Sequence, residues 1–172
     1  MQDSDKIINA MRKDLVDPVV FVLSVDKNGK PNGMVAGWNM KVSYNPPTIA
    51  ISLYENNNTQ KLIRESKEFV IAYPSPEMQK DLEYFGSSSG VTDDKFKQSG
   101  IKTAQGIYGK TPILADARIN FECELISFVK PSDHYVFFGT IKVAHLKEEK
   151  PQLFYKGRNS HGERVFDNAD PI

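Results

Sequence analysis

From Ala115 to Leu125 the chain alternates without a break. Ala115, Ala117, Ile119, Phe121, Cys123 and Leu125 fall on one parity, and Asp116, Arg118, Asn120, Glu122 and Glu124 on the other. A period of two sends successive side chains to opposite faces of an extended chain, so the segment predicts a half-buried antiparallel strand. Lys130-Pro131-Ser132-Asp133 then predicts a turn, and HYVFFGTIKVAHL (134–146) the strand that pairs back. A hairpin this long must bury one face against further strands, and the earlier sequence supplies them.

PVVFVLSVD (18–26) is rich in β-branched residues and runs into Asp26-Lys27-Asn28-Gly29, whose Asn-Gly pair suits the positive φ angles of a tight hairpin turn. The returning segment, residues 32–40, reads as one strand with Asn32, Met34, Ala36, Trp38 and Met40 on one face. Pro46 and Pro47 cannot donate to a ladder and mark the loop before TIAISLY (48–54); EFVIAY (68–73) is a further strand.

Helices are inserted between these strands. Ile7, Ile8, Met11 and Leu15 lie near helical spacing behind Asp3 or Ser4, predicting a short amphipathic helix over 4–15 that covers the barrel. QKLIRESK (60–67) predicts a helix with Thr59 near its N-terminus, and SPEMQKDLEYF (75–85) another, with Pro76 just inside its start. GSSSGVTD (86–93) reads as a loop and DDKFKQSG as a helical turn closed by Gly100; the tail LFYKGRNSHGERVF shows no clean period. Strands in hairpin order with helices inserted rather than alternating predict an all-β-dominated fold. The expected architecture is an antiparallel barrel with short peripheral helices, not a doubly wound parallel sheet.

Composition narrows the function classes. The 172 residues suit one domain spanning 1–172, with a core over about 15–146 and a tail over 147–172. Lys plus Arg number 22 and so do Asp plus Glu, so no overall field draws the chain to nucleic acid or to an anionic membrane. An oligonucleotide-binding barrel is further disfavoured because no strand interleaves basic residues with aromatics. The start MQDSDKIINAMRKDL lacks a signal-peptide layout, and no apolar run approaches the roughly 20 residues that span a bilayer. A cytoplasmic location is expected, which makes Asn57-Asn58-Thr59 irrelevant to glycosylation.

Several chemistries have no residues to carry them. Cys123 is the only cysteine and lies on the apolar parity, as a small buried hydrophobe does. His134, His145 and His161 have no metal-site spacing, so no metal is expected. A Rossmann fingerprint, a Walker loop and a nucleophile elbow are all missing from the sequence. What remains suits a phosphate and a flat ring. Gly33 and Gly37 let a planar ligand approach the backbone beside Trp38, Thr59 sits where a helix start welcomes phosphate, and Lys95 can add a point charge. From the residues alone each also has a plainer reading: a core tryptophan, a helix cap, a solvated lysine.

The order of motifs goes further. PVVFVLSVDKNGKPNGMVAGWNMKVSYNPPTIAISL, NNNTQKLI, EFVIAYPS, FGSSSGVTDDKF with Gly100 after it, FECELI and DHYVFFGTI together resemble the flavin reductase-like family, and within it the flavoredoxin-type proteins with their FMN-binding split barrel. The likeness covers about residues 15–146, and PNGMVAGWNMKVSYNPP and SGVTDDKF are its most specific parts. It implies a homodimer with one FMN per subunit near the interface. On matching positions, Asn32, Met34, Val35 and Trp38 would line the flavin and its ribityl chain, and Ser52 with Leu53 would give backbone contacts. Thr59 and Lys95 would take the phosphate; His134 would lie close to the cofactor and Phe166 would cover the ring. Where this chain has AGWN, other members often carry a Ser- or Thr-rich stretch, which points to the flavoredoxin-like branch and leaves the electron donor open.

The implied function is an FMN-dependent oxidoreductase. It would move electrons from NAD(P)H or a small ferredoxin-like protein to free flavin, a ferric complex or another protein, the flavin supplying the redox chemistry and the protein its position and potential. No catalytic acid or base is assigned. The competing reading from another class is a non-catalytic module that stores or senses a flavin or haem.

Overall fold

The computed structural model describes residues 7–8, 10–11, 17–92 and 94–170. The strands are β1 (Val20–Val25), β2 (Pro31–Ala36), β3 (Asn39–Tyr44), β4 (Pro47–Tyr54), β5 (Glu68–Tyr73), β6 (Thr103–Ala104), β7 (Ile113–Leu114), β8 (Ile119–Val129), β9 (His134–Leu146), β10 (Gln152–Arg158) and β11 (Arg164–Ala169). The helices are α1 (Asn58–Ser66), α2 (Gln79–Ser87) and α3 (Lys95–Ser99).

Seven strands form one antiparallel sheet in the order β2-β1-β5-β8-β9-β4-β3. Its two edges, β2 and β3, are consecutive in the chain and separated only by Gly37 and Trp38. Laid flat, those edges would stand about 29 Å apart, six strand spacings, whereas the three peptide links from Ala36 to Asn39 reach about 11 Å. The sheet therefore has to curl until its edges meet. At the seam the Ser52 amide of β4 donates to the Trp38 carbonyl at 2.9 Å.

This geometry corrects the reading of residues 32–40 as one strand. The chain leaves one edge at Ala36, turns through Gly37 and Trp38, and enters the other edge at Asn39. Asn39 holds the turn, its side-chain amide donating to the carbonyls of Pro18 at 2.6 Å and Gly37 at 3.0 Å while its oxygen accepts from the Tyr73 hydroxyl at 3.0 Å. Burial and the nearby Cys123 push that phenol up to about 12, so it stays a donor. A Cβ on Gly37 would sit 3.2 Å from the Asp17 side chain, a tight contact that glycine avoids.

Two cores lie on either side of β1, every residue of which is buried. Val20 and Val22 face the barrel interior with Ile49, Ile51, Phe69, Ile71 and Phe137, and α1 adds Ile63. Phe21 and Leu23 face outward to a second core formed with Met78, Leu82 and Phe85. Burial on both faces explains why β1 reads as a continuous apolar run rather than an alternation.

Elsewhere the sequence expectations hold with local corrections. The Asp26–Gly29 turn forms, its Gly29 amide donating to the Asp26 carbonyl at 2.9 Å, but of the Asn-Gly pair only Gly29 has a positive φ, +82°. The helix expected over 75–85 opens as a 3-10 turn, Pro76–Met78, before α2. The strand expected from Ala115 begins at Ile119, and bulges at Glu122/Cys123 and Leu125/Ser127 break its parity. Its expected solvent face is covered at Asn120 and Glu122, 3% and 2% accessible, while Glu124 on the same parity is exposed. The aperiodic tail is an antiparallel hairpin, β10 with β11. Of the N-terminal helix, Ile7, Ile8, Ala10 and Met11 are helical and exposed; Asp3, Ser4, Leu15 and the rest of it lie outside the described residues, as does Asp93. No helix among the described residues is long and apolar enough to cross a membrane.

Candidate functional site

Two adjoining hollows open at the seam. The larger, about 640 Å³, lies over the Gly37–Trp38 turn and is walled by β2, β4, the start of β9 and the β10–β11 hairpin. The smaller, about 240 Å³, lies between the N-terminus of α1 and the loop after α2. Met34, Val35, Asn57 and Gly86 line both, so the two are neighbours across these residues.

Trp38 is 43% accessible, which removes the core reading. Its indole lies 4.8 Å from the His134 ring at 37°, and His134 in turn lies 5.4 Å from Tyr54. Asp133 fixes the imidazole through a 2.8 Å hydrogen bond to Nδ1, and that bond holds the Asp133 carboxyl below its usual range. Tyr155 and Phe166, paired across the tail hairpin with centroids 5.8 Å apart, line the same hollow. Asp17 also lines the hollow, its carboxyl raised by burial. The result is a hollow rich in aromatic surface.

The smaller hollow is polar. α1 starts two residues earlier than its sequence predicts, so Asn57 is the N-cap and Thr59, 2% accessible, is the second helical residue. The Asn57 side chain does not cap the helix; its amide donates to the Met34 sulfur at 3.4 Å. The first amides of α1 thus keep the partial positive charge that attracts anions. Across the hollow, Lys95 is 4% accessible and donates to the Phe85 carbonyl at 2.9 Å. Its position is built by α3, which Asp94 caps by accepting from the Lys97 amide at 3.2 Å and Gly100 closes at φ +72°. The floor leaves little room for side chains: a Cβ on Gly90 would fall 2.1 Å from Asn32 Oδ1, and one on Gly33 would fall 2.7 Å from Leu23.

The sequence-predicted residues therefore converge on one place. Met34, Val35, Trp38, Ser52, His134 and Phe166 line the larger hollow, and Asn32, Met34, Val35, Thr59 and Lys95 the smaller. Leu53 lines neither; its side chain is 1% accessible in the barrel core. Asp17, Tyr54, Asn57, Gly86, Tyr155, Arg158 and Arg164 line the site without having been singled out. Asn159 and Gly162, the turn residues of GRNSHGER, are the signal that would have located the tail hairpin and its aromatic pair.

A buried carboxylate lies apart from this site. Glu122 accepts from the Ile107 amide at 2.9 Å, the Tyr108 amide at 2.8 Å and His145 Nε2 at 2.7 Å. Burial pushes its carboxyl up, but these hydrogen bonds outweigh burial and hold it below the usual glutamate range. Burial likewise raises the Cys123 thiol, which keeps it protonated and unreactive. Among the described residues no group of His, Cys, Asp and Glu is arranged to hold a metal ion.

Comparison with known proteins agrees with the architecture. A protein of Archaeoglobus fulgidus described as uncharacterized is 31% identical over 156 residues, 85% of this chain and 88% of that one. A crystal structure of flavoredoxin from Methanosarcina acetivorans superposes with a TM-score of 0.77 at 25% identity, covering 91% of this chain and 87% of that one. The NADH:FAD oxidoreductase SgcE6 of Streptomyces globisporus C-1027 superposes with a TM-score of 0.81 over 99% of this chain and 95% of its own, at 19% identity, a likeness of fold alone. The family model described as "Flavin reductase like domain" matches residues 11–163, and the chain belongs to that family.

Proposed function

We propose that the chain is an FMN-binding oxidoreductase whose cofactor spans the two hollows, the isoalloxazine in the larger and the phosphate in the smaller. The observation that carries this reading is their adjacency: a hollow lined by aromatic residues beside a polar hollow that combines an uncapped helix N-terminus with a lysine. Helix amides and an ammonium are the donor set a phosphate monoester dianion requires. Trp38 and His134 give the ring an aromatic wall, Phe166 covers it from the tail, and Met34 and Val35 line both hollows. Thr59 and Lys95 hold the phosphate, Asn32 and Ser52 meet the ribityl chain or ring edge, and Leu53 contributes through its backbone.

When bound, FMN would supply the redox chemistry, taking a hydride from a nicotinamide donor or two single electrons from a redox protein, the donor being oxidised and the electrons passing to an acceptor that is reduced. The chain's own residues position the ring, exclude water from one face and set its potential. The donor is NAD(P)H or a small ferredoxin-like protein, and the acceptor free flavin, a ferric complex or a protein. The whole chain acts as one domain, and two copies form the working unit. Edge strand β3, which begins at Asn39 directly after Trp38, supports that pairing, since its Met40, Val42 and Tyr44 are 59%, 44% and 87% accessible.

The test is affinity for FMN and riboflavin measured in parallel, followed by anaerobic titration with NADH, NADPH and reduced ferredoxin. Tight FMN binding with reduction by at least one donor is expected. Bound flavin that no donor reduces points to a store or sensor.

A further inference from the structure

Two cations in the larger hollow have no role in that reading. Arg158 of β10 and Arg164 of β11 stand directly opposite each other across the tail hairpin, and both line the hollow that Trp38 and His134 line. Like charges directly opposite on an antiparallel pair repel each other. The hairpin neutralises its other cation, Lys156, with Asp167 at 3.0 Å, yet among the described residues neither guanidinium has a carboxylate partner. Their hydrogen bonds go instead to main-chain carbonyls: Arg158 to Gly162, and Arg164 to Gly86 at 3.4 Å.

The pairing is built into the strand. The register shifts between Tyr155 and Gly157, and Gly157 has φ +108°, a conformation that favours glycine. A bulge re-aims the side chains after it, and this one sets Arg158 against Arg164. Neither arginine lines the smaller hollow that holds Thr59 and Lys95. The combined site thus has cations in two places, one more than a single phosphate needs. Tyr155 and Phe166 add aromatic surface to the hollow that the arginines line.

We propose that Arg158 and Arg164 form a second anion subsite that takes the pyrophosphate of a dihydronicotinamide dinucleotide, the electron donor; this rests on the flavin reading above. Guanidinium forks pair with phosphate oxygens in bidentate fashion, and two of them facing one slot match a group with two phosphates. The subsite sets affinity for the donor and leaves the redox step itself untouched.

The test is the R158Q/R164Q double variant of the full chain, which keeps the packing of the arginine stems while removing both charges. Its KM for NADH is expected to rise about tenfold or more, as loss of charge-assisted hydrogen bonds implies. The KM for the uncharged donor 1-benzyl-1,4-dihydronicotinamide, and the affinity for FMN, stay as in the parent. Calorimetry provides a readout free of turnover: ADP-ribose binds the parent and loses at least a comparable factor on the variant. A larger loss for NADPH than for NADH keeps the subsite and adds the 2'-phosphate to it. Unchanged KM for NADH, an equal rise for the uncharged donor, or failure of both donors on a chain that binds FMN normally overturns the inference and leaves the flavin reading standing. Weakened FMN would return the arginines to the cofactor phosphate, and weakened FAD alone would assign them to a flavin dinucleotide; either overturns the donor subsite. A chain that binds no flavin at all removes both.

Discussion

At the scale of single residues, the position of Trp38 decides most. It occupies the two-residue link between the sheet's edges, where its carbonyl accepts from Ser52 while its indole stays 43% accessible, and the Asn39–Tyr73 hydrogen bond together with the closeness of Gly37 to Asp17 holds that link. Trp38→Ala is expected to weaken FMN and riboflavin alike, because it removes ring contact only; unchanged affinity for both, by calorimetry, would free Trp38 of that role. Thr59→Val and Lys95→Met touch the phosphate end and are expected to cost FMN about 1.5–3 kcal/mol each, the range for hydrogen bonds to a charged group, with riboflavin little changed. Equal losses for the two ligands would remove the phosphate assignment. Composition and spacing supplied these three residues as candidates, and the plainer readings of Trp38 and Lys95 fall to burial: an indole 43% accessible is not core, and an ammonium 4% accessible is not solvated.

At the scale of elements, the alternation that opened the sequence located β8 and β9 but misjudged how much of the polar face of β8 is wet. Parity shows only that two faces differ. It cannot show that Glu122, polar and on the supposed outer face, is covered by the segment carrying Ile107 and Tyr108, whose amides it binds. Glu122→Gln is expected to lower stability by about 2 kcal/mol at neutral pH through loss of hydrogen bonds to a charged acceptor. The folded carboxyl is held below its unfolded value, so its contribution is complete above the ordinary glutamate range and is lost as pH falls through the folded value. Denaturation curves of parent and variant should therefore converge in acid; a gap that stays constant down through that range would show that the charge is not what stabilises. The tail hairpin escaped notice for a related reason. Its bulge shifts the parity after Tyr155, and only Leu153 and Gly157 of β10 are fully buried, which leaves no period to detect.

At the scale of the whole molecule, the hairpins β1–β2, β3–β4 and β8–β9 were enough to predict an antiparallel barrel with added helices, because antiparallel neighbours need only short turns, while the pairings of β5 with β1 and β8 and of β4 with β9 are crossovers that no local signal marks. What the order could not convey is that one short link joins opposite edges of the sheet. That link creates the seam, and the site lies over it. Closing the sheet also leaves β3 with exposed Met40, Val42 and Tyr44, the surface assigned to a second copy. Light scattering should give twice the chain mass, and Val42→Lys with Tyr44→Lys should halve it and loosen FMN; a monomeric parent at all concentrations would contradict the pairing. The flavin is tested most directly by calorimetric titration of the purified, flavin-stripped chain with FMN, read alongside its absorption spectrum. The expected result is one FMN per chain with a Kd of about 1 μM or tighter and a flavin spectrum retained by the protein. A colourless chain that takes up no FMN would contradict it.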